Sequence, residues 1–183
     1  MNKTFGPLAD FALVKSDGTR TIVSYEKEDV AGSDNATWRE VYFPKKQVAK
    51  PSLDQIRDAI EADINAQTDE KILTGFVWTP EGGEPINVWL SMENQSNYSE
   101  AYHIAERKPE AILPVTFKLG ELPDKTPVYH TFETFAELES FYLSGAAFKN
   151  QCLNEGWHRK DAIDWSAYEH ALNPEEPKKK GKK

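Results

Sequence analysis

The chain has 183 residues, enough for one domain or two small ones, and its 39% hydrophobic content with five Trp, nine Phe and seven Tyr excludes a disordered chain. The formal charge is −8, and the five lysines Lys178, Lys179, Lys180, Lys182 and Lys183 account for +5, so the remainder carries −13. A body this acidic repels phosphate and argues against a duplex-binding face on the fold.

Phe11–Val14 and Thr21–Tyr25 are β-prone runs around Ser16-Asp17-Gly18, a strong turn signal. A polar loop is expected from Glu26 to Ala36, then a third strand over Trp38–Phe43. In that strand Trp38, Glu40 and Tyr42 alternate with Arg39, Val41 and Phe43. Pro44 and Pro51 bracket a basic connector and mark a soft boundary, giving an N-terminal antiparallel β region over 1–50. An α+β domain is expected over 51–173 and a disordered charged tail over 174–183.

Ser52-Leu53-Asp54-Gln55 has capping-box spacing, and Leu53, Ile56, Ile60 and Ile64 recur at helical period. Thr68-Asp69-Glu70-Lys71 then joins this helix to a hairpin. The hairpin sets Phe76, Trp78, Val88 and Leu90 on an apolar face and turns at the Pro/Gly-rich stretch between them. Ser91 caps the next helix, whose stripe carries Gln95, Tyr98, Ala101, Tyr102 and Ala105. A buried Gln95 amide needs partners. Lys108-Pro109 ends this helix.

Leu113–Leu119 and Val128–Phe132 form a second hairpin, with the turn over Gly120–Thr126. Thr134-Phe135-Ala136-Glu137 opens the longest helix, with Leu138, Phe141, Tyr142, Gly145, Phe148 and Cys152 on its stripe. Gly156 stands where a C-terminal glycine belongs, and Trp157 is expected to fold back on the last turn. Asp164 caps a final helix through Leu172. The fold class is therefore α+β, two β-hairpins with packed helices in ββα-ββα-like order after an N-terminal antiparallel β region.

Candidate chemistry is sparse. Cys152, the lone cysteine, lies six residues before His158, but it sits on the apolar stripe near a helix C-terminus, which favours a packed thiol over a thiolate. His103, His130, His158 and His170 show no metal-ligand spacing, so no metal, cofactor or catalytic residue is expected. The enzyme reading, a cysteine-dependent one, ranks last. No run approaches ~18 apolar residues, so no membrane span is expected. Trp78, Trp89, Gln95 and Tyr98 are the candidate binding residues, with core packing as the competing role for the aromatics. Whichever of Trp78 and Trp89 faces away from the apolar side is the one to test. The tail lysines are either a solvated terminus or an electrostatic contact for an anionic partner.

The order of Ile72–Trp78, Val88–Ser91, Glu93-Asn94-Gln95, Asn97-Tyr98, Leu113–Lys118, Val128–Phe132 and Lys160–Trp165 resembles an uncharacterised domain family of phage and prophage proteins. It is a domain of unknown function found in tail-fibre-like and other tail-associated reading frames. The resemblance covers about residues 52–172. It implies a virion-associated structural or adaptor protein acting through protein–protein contacts, with other phage structural proteins or a second copy of itself as partners. Its expected place is the virion, after assembly in the bacterial host cytoplasm. The alternative is a glycan or small-ligand binding module that uses the hairpin aromatics.

Overall fold

The computed structural model describes residues 3–174. Lys178, Lys179, Lys180, Lys182 and Lys183, and with them the tail expected beyond Asn173, lie outside the described residues apart from Pro174. Helices and antiparallel sheets give an α+β fold. The chain divides into two compact units, one from the residues up to Asn65 with those from His158 onward, the other Ala66–Trp157.

In the first unit β1 (Thr4–Pro7), β2 (Val14–Ser16), β3 (Arg20–Asp29) and β4 (Asn35–Pro44) form an antiparallel sheet in the order β1-β4-β3-β2. The Asp17 carboxylate closes the β2–β3 turn by accepting from the Thr19 amide and hydroxyl and from Arg20. The loop expected over Glu26–Ala36 is shorter than its polarity suggests. β3 continues through a bulge after Tyr25 to Asp29, because Glu28 and Asp29 still pair with Thr37 and Ala36. β1 carries no alternating signal, and its pairing with Asn35–Trp38 is what makes it a strand.

The alternation read along β4 holds. On one face Trp38 Nε1 and the Tyr42 hydroxyl donate to the two oxygens of Glu40, at 2.9 and 2.8 Å. On the other, Val41 joins Val23 and Tyr25 against α1 (Leu53–Thr74), where Ile56, Ile60 and Ile64 are fully buried. α1 starts on a reciprocal cap, with Gln55 N donating to Ser52 Oγ and Ser52 N to Gln55 Oε1. α4 (Trp165–Leu172) adds Tyr168 and Leu172 to this core, and Asp164 caps it by accepting from Ser166 N and Ala167 N.

Thr68–Lys71 does not join helix to strand as expected: α1 runs through it to Thr74, and Thr68 and Ile72 are buried in the second unit. Gly75 ends the helix at φ +86, and a Cβ there would sit 1.7 Å from the Val88 carbonyl oxygen. β5 (Phe76–Trp78) and β6 (Ile86–Val88) follow as a hairpin, then α2 (Met92–Arg107). β7 (Val115–Glu121) and β8 (Pro127–Phe132) form the second hairpin, longer than expected at its turn end because a bulge between Lys118 and Gly120 keeps Glu121 paired with Pro127. The Trp89 amide donates to the Leu119 carbonyl at 2.8 Å and ties the two hairpins together.

α3 (Phe135–Asp161) starts on the Thr134 cap, Glu137 N donating to Thr134 Oγ1. Gly156 does not end it. The helix passes through Gly156 and the exposed Trp157 to Asp161, so no chain reversal brings Trp157 back. A Cβ on Gly156 would meet Thr68 Oγ1 at 2.6 Å, so its glycine serves close approach of α3 to α1. The core of this unit is aromatic: Trp78, Tyr98, Phe132 and Phe141 are buried with ring centroids 4.9–5.5 Å apart along Trp78–Phe132, Trp78–Phe141, Tyr98–Phe141 and Phe132–Phe141. Such ring pairs contribute about 0.5–1.5 kcal/mol each beyond the area they bury.

Candidate functional site

Two surfaces of the Ala66–Trp157 unit combine accessible aromatic groups with polar ones. The first is a groove of about 510 Å³ between α2 and α3, lined also by Phe76 of β5 and by Leu90, which follows β6. Its size falls in the range of about 300–1,000 Å³ typical of small-molecule sites. Local sequence builds it. The Ser91 hydroxyl accepts from Asn94 N at 3.2 Å and starts α2, while Asn94 Nδ2 donates to the Trp89 carbonyl at 3.1 Å. Gln95 Nε2 donates to the Leu90 carbonyl at 2.7 Å, and Gln95 Oε1 accepts from Lys149 Nζ of α3 at 3.0 Å. The expectation that the Gln95 amide needs partners is met on both sides.

Tyr98 stands in the groove wall and is 4% exposed. Its hydroxyl is buried with no hydrogen-bond partner among the described residues. Burial pushes its pKa up to about 12, since the phenolate would lose its hydration. The ring is fixed edge-on between Phe117 and Phe141. Gly145 leaves the groove its width, because a Cβ there would reach Phe76 at 3.2 Å.

The second surface is the outer face of the hairpins. Strand alternation that turns Trp78, Val88 and Phe132 inward turns Val77, Asn87, Lys118, Tyr129 and Thr131 outward. Trp89 is 38% exposed with Lys118 Nζ 5.3 Å from its ring, and Lys118 pairs across the strands with Tyr129, which is 63% exposed. Trp89, Lys118 and Tyr129 thus form a row, and Thr116 and Thr131 share a 2.8 Å hydroxyl hydrogen bond beside it.

The four candidate binding residues therefore separate. Gln95 and Tyr98 meet at the groove, and Trp89 lies on the outer face. Trp78 presents no face to a partner. It is 6% exposed and packs edge-on against His130 and Phe141. Sequence reasoning missed Lys149 and Tyr129. A lysine beside an apolar helical stripe, one turn from Gly145, was the available signal for the first. Alternation along β8 was the signal for the second.

Cys152 is buried, and burial pushes its thiol up. His130 Nε2 lies 2.8 Å from Glu137 Oε1, a link from β8 to the first turn of α3. Among the described residues no group of His, Cys, Asp or Glu is arranged to hold a metal ion, and no helix is long and apolar enough to cross a membrane.

No curated protein and no solved structure gave a match to the chain. The model of a family described as a domain of unknown function matches residues 55–176, well over half of the sequence and close to the span carrying the motif order. The chain belongs to that family, DUF4376.

Proposed function

We propose that the protein is a virion-associated structural or adaptor component of a phage or prophage, tail or tail-fibre related, that acts by docking on another particle protein. The observation that carries this reading is the open row of Trp89, Lys118 and Tyr129 on an uncovered sheet face. Trp and Tyr dominate the energetics of protein–protein contacts because they bury a large rigid surface while keeping a polar handle. The motif order described above supplies the phage setting. The partner is another structural protein of the particle or a second copy of the chain, and the meeting takes place during assembly in the host cytoplasm.

The test is co-purification. The protein is expected in purified particles, or in a stable complex with a tail protein, and Trp89→Ala with Tyr129→Ala should abolish that association while circular dichroism stays unchanged. Recovery of the protein only from free cytosol throughout infection would refute the reading.

A second reading, a glycan or small-ligand module, is favoured by the same row, because Trp89 has Thr116, Thr131 and Asn87 on its face as hydrogen-bonding neighbours. Glycan-array binding that disappears in Trp89→Ala would select it. Unchanged tryptophan fluorescence over a broad saccharide panel would remove it.

A further inference from the structure

Lys149 is the only charged residue among those lining the α2–α3 groove, in a chain whose net charge is −8. Its ammonium makes one hydrogen bond, to the neutral Gln95 Oε1, and has no carboxylate partner among the described residues. Two of its three donors are left for a ligand. Phe141, Tyr142 and Leu153 of the same helix line the slot beside the lysine with Phe76 and Leu90, and Tyr98 holds its buried hydroxyl without a partner among the described residues. A lone cation bridging two helices over a slot of apolar and neutral polar residues, Ser96, Ser99 and Asn150 among them, is complementary to one kind of molecule.

We infer that the groove is a binding site for a small amphipathic monocarboxylate, its hydrocarbon or aromatic body in the slot and its carboxylate on Lys149. Each part answers a physical demand of the site. The apolar body displaces water from the ring and leucine surfaces, the main source of affinity in such pockets. The carboxylate gives Lys149 the charge-assisted hydrogen bond it lacks. An uncharged body of the same shape gains only the first of these, so the site discriminates by charge. A phosphate or other hydrated anion without an apolar body leaves the slot unfilled. Gln95 positions the ammonium, since its amide is anchored on the Leu90 carbonyl and carries Lys149 with it. This site is separate from the Trp89–Tyr129 row, and neither reading depends on the other.

Decanoate and 1-decanol, titrated as monomers into the full chain by calorimetry, test the inference. Decanoate should bind at one site per chain. Lys149→Met should weaken it by about tenfold to a hundredfold, the value of a hydrogen bond to a charged group, and should leave decanol within about twofold. Ala146→Trp, a substitution at a lining residue, should remove binding of both. Because that variant could also disturb packing, intermolecular NOEs from decanoate to the Leu90 and Leu153 methyls of the unmodified protein provide the second measurement, and they should be seen. Absence of saturable decanoate binding, equal affinity in Lys149→Met, or a bound chain with no NOE to either leucine would each overturn the assignment.

Discussion

The two units solve the same packing problem with opposite chemistry. Around β3, aliphatic Ile56, Ile60 and Ile64 fill the core, and polar groups at its edge close on one another. Arg159 binds Glu26 through Nε and Nη2 at 2.6 and 3.0 Å, Arg39 Nε lies 3.2 Å from the same carboxylate, Tyr25 bonds Asp63, and the Tyr168 hydroxyl donates to the Ser24 carbonyl at 2.8 Å. In Ala66–Trp157 the core is ring on ring, the Tyr98 hydroxyl is buried without a partner among the described residues, and the Lys149 ammonium and the faces of Trp89 and Tyr129 are exposed. Neither unit is free of buried polar atoms without a hydrogen bond among the described residues, Ser24 Oγ and Arg57 Nε being such atoms in the first, so the contrast lies in an aliphatic core edged by ion pairs against an aromatic core with exposed rings beside it.

The largest effect that sharpens this contrast is Phe141→Ala. Phe141 is 1% exposed and touches Phe76, Trp78, Tyr98 and Phe132, so its loss should destabilise by about 3–5 kcal/mol in urea unfolding. Ile60→Ala is expected to lose about 2–5 kcal/mol, with hydrogen exchange rising first in β3 and β4. Exchange rising first in the second unit on Ile60→Ala would break the contrast.

Next comes the helix contact. Gly156→Ala should destabilise by about 1–3 kcal/mol, as overpacking does, and Thr68→Ala in the same chain should restore most of it by removing the atoms that the new methyl meets. Additive losses in the double variant would show that the close approach is not the cause.

Two of the buried tyrosines, Tyr98 and Tyr168, give the most direct comparison. Tyr168→Phe strands the Ser24 carbonyl and should lose about 1 kcal/mol or somewhat more, whereas Tyr98→Phe removes a hydroxyl with no partner and should be neutral or slightly stabilising.

Both phenols are pushed up to about 12 from an ordinary 10.0 by burial. The neutral form is thus favoured in the folded protein, so stability is full below pH 10 and falls between about 10 and 12. The slope is about 1.4 kcal/mol per pH unit for each group. Phenolate absorbance should rise together with unfolding; phenolate appearing near pH 10 in the intact fold would contradict the burial.

How much of this was readable beforehand depends on what each residue answers to. Ser52, Ser91, Thr134 and Asp164 act within their own turn, so their caps could be read from spacing alone. Gly156 answers to Thr68, 88 positions away, and local rules therefore took it for a helix end. The polar run Thr68–Lys71 looked like a joint because three of its residues face solvent, while the helix there is held by Thr68 and Ile72 on the other side. β1, four residues with a Pro and a Gly, exists through its pairing with β4. At the site, Gln95 and Tyr98 were legible as residues of one helical stripe, and Gln95 as an amide that needed partners. Lys149 was not, since its meaning comes from lying opposite Gln95 across the groove.

Gly75 carries a last consequence. Its dihedral and the 1.7 Å approach to Val88 O forbid a side chain for two unrelated reasons, one torsional and one steric. Saturation mutagenesis should therefore recover only the parental residue at that codon, whatever the selection. Position 75 then serves as an internal calibrant: depletion there reports collapse of the scaffold, and depletion at Trp89 or Lys149 that falls short of it reports lost recognition in an intact one.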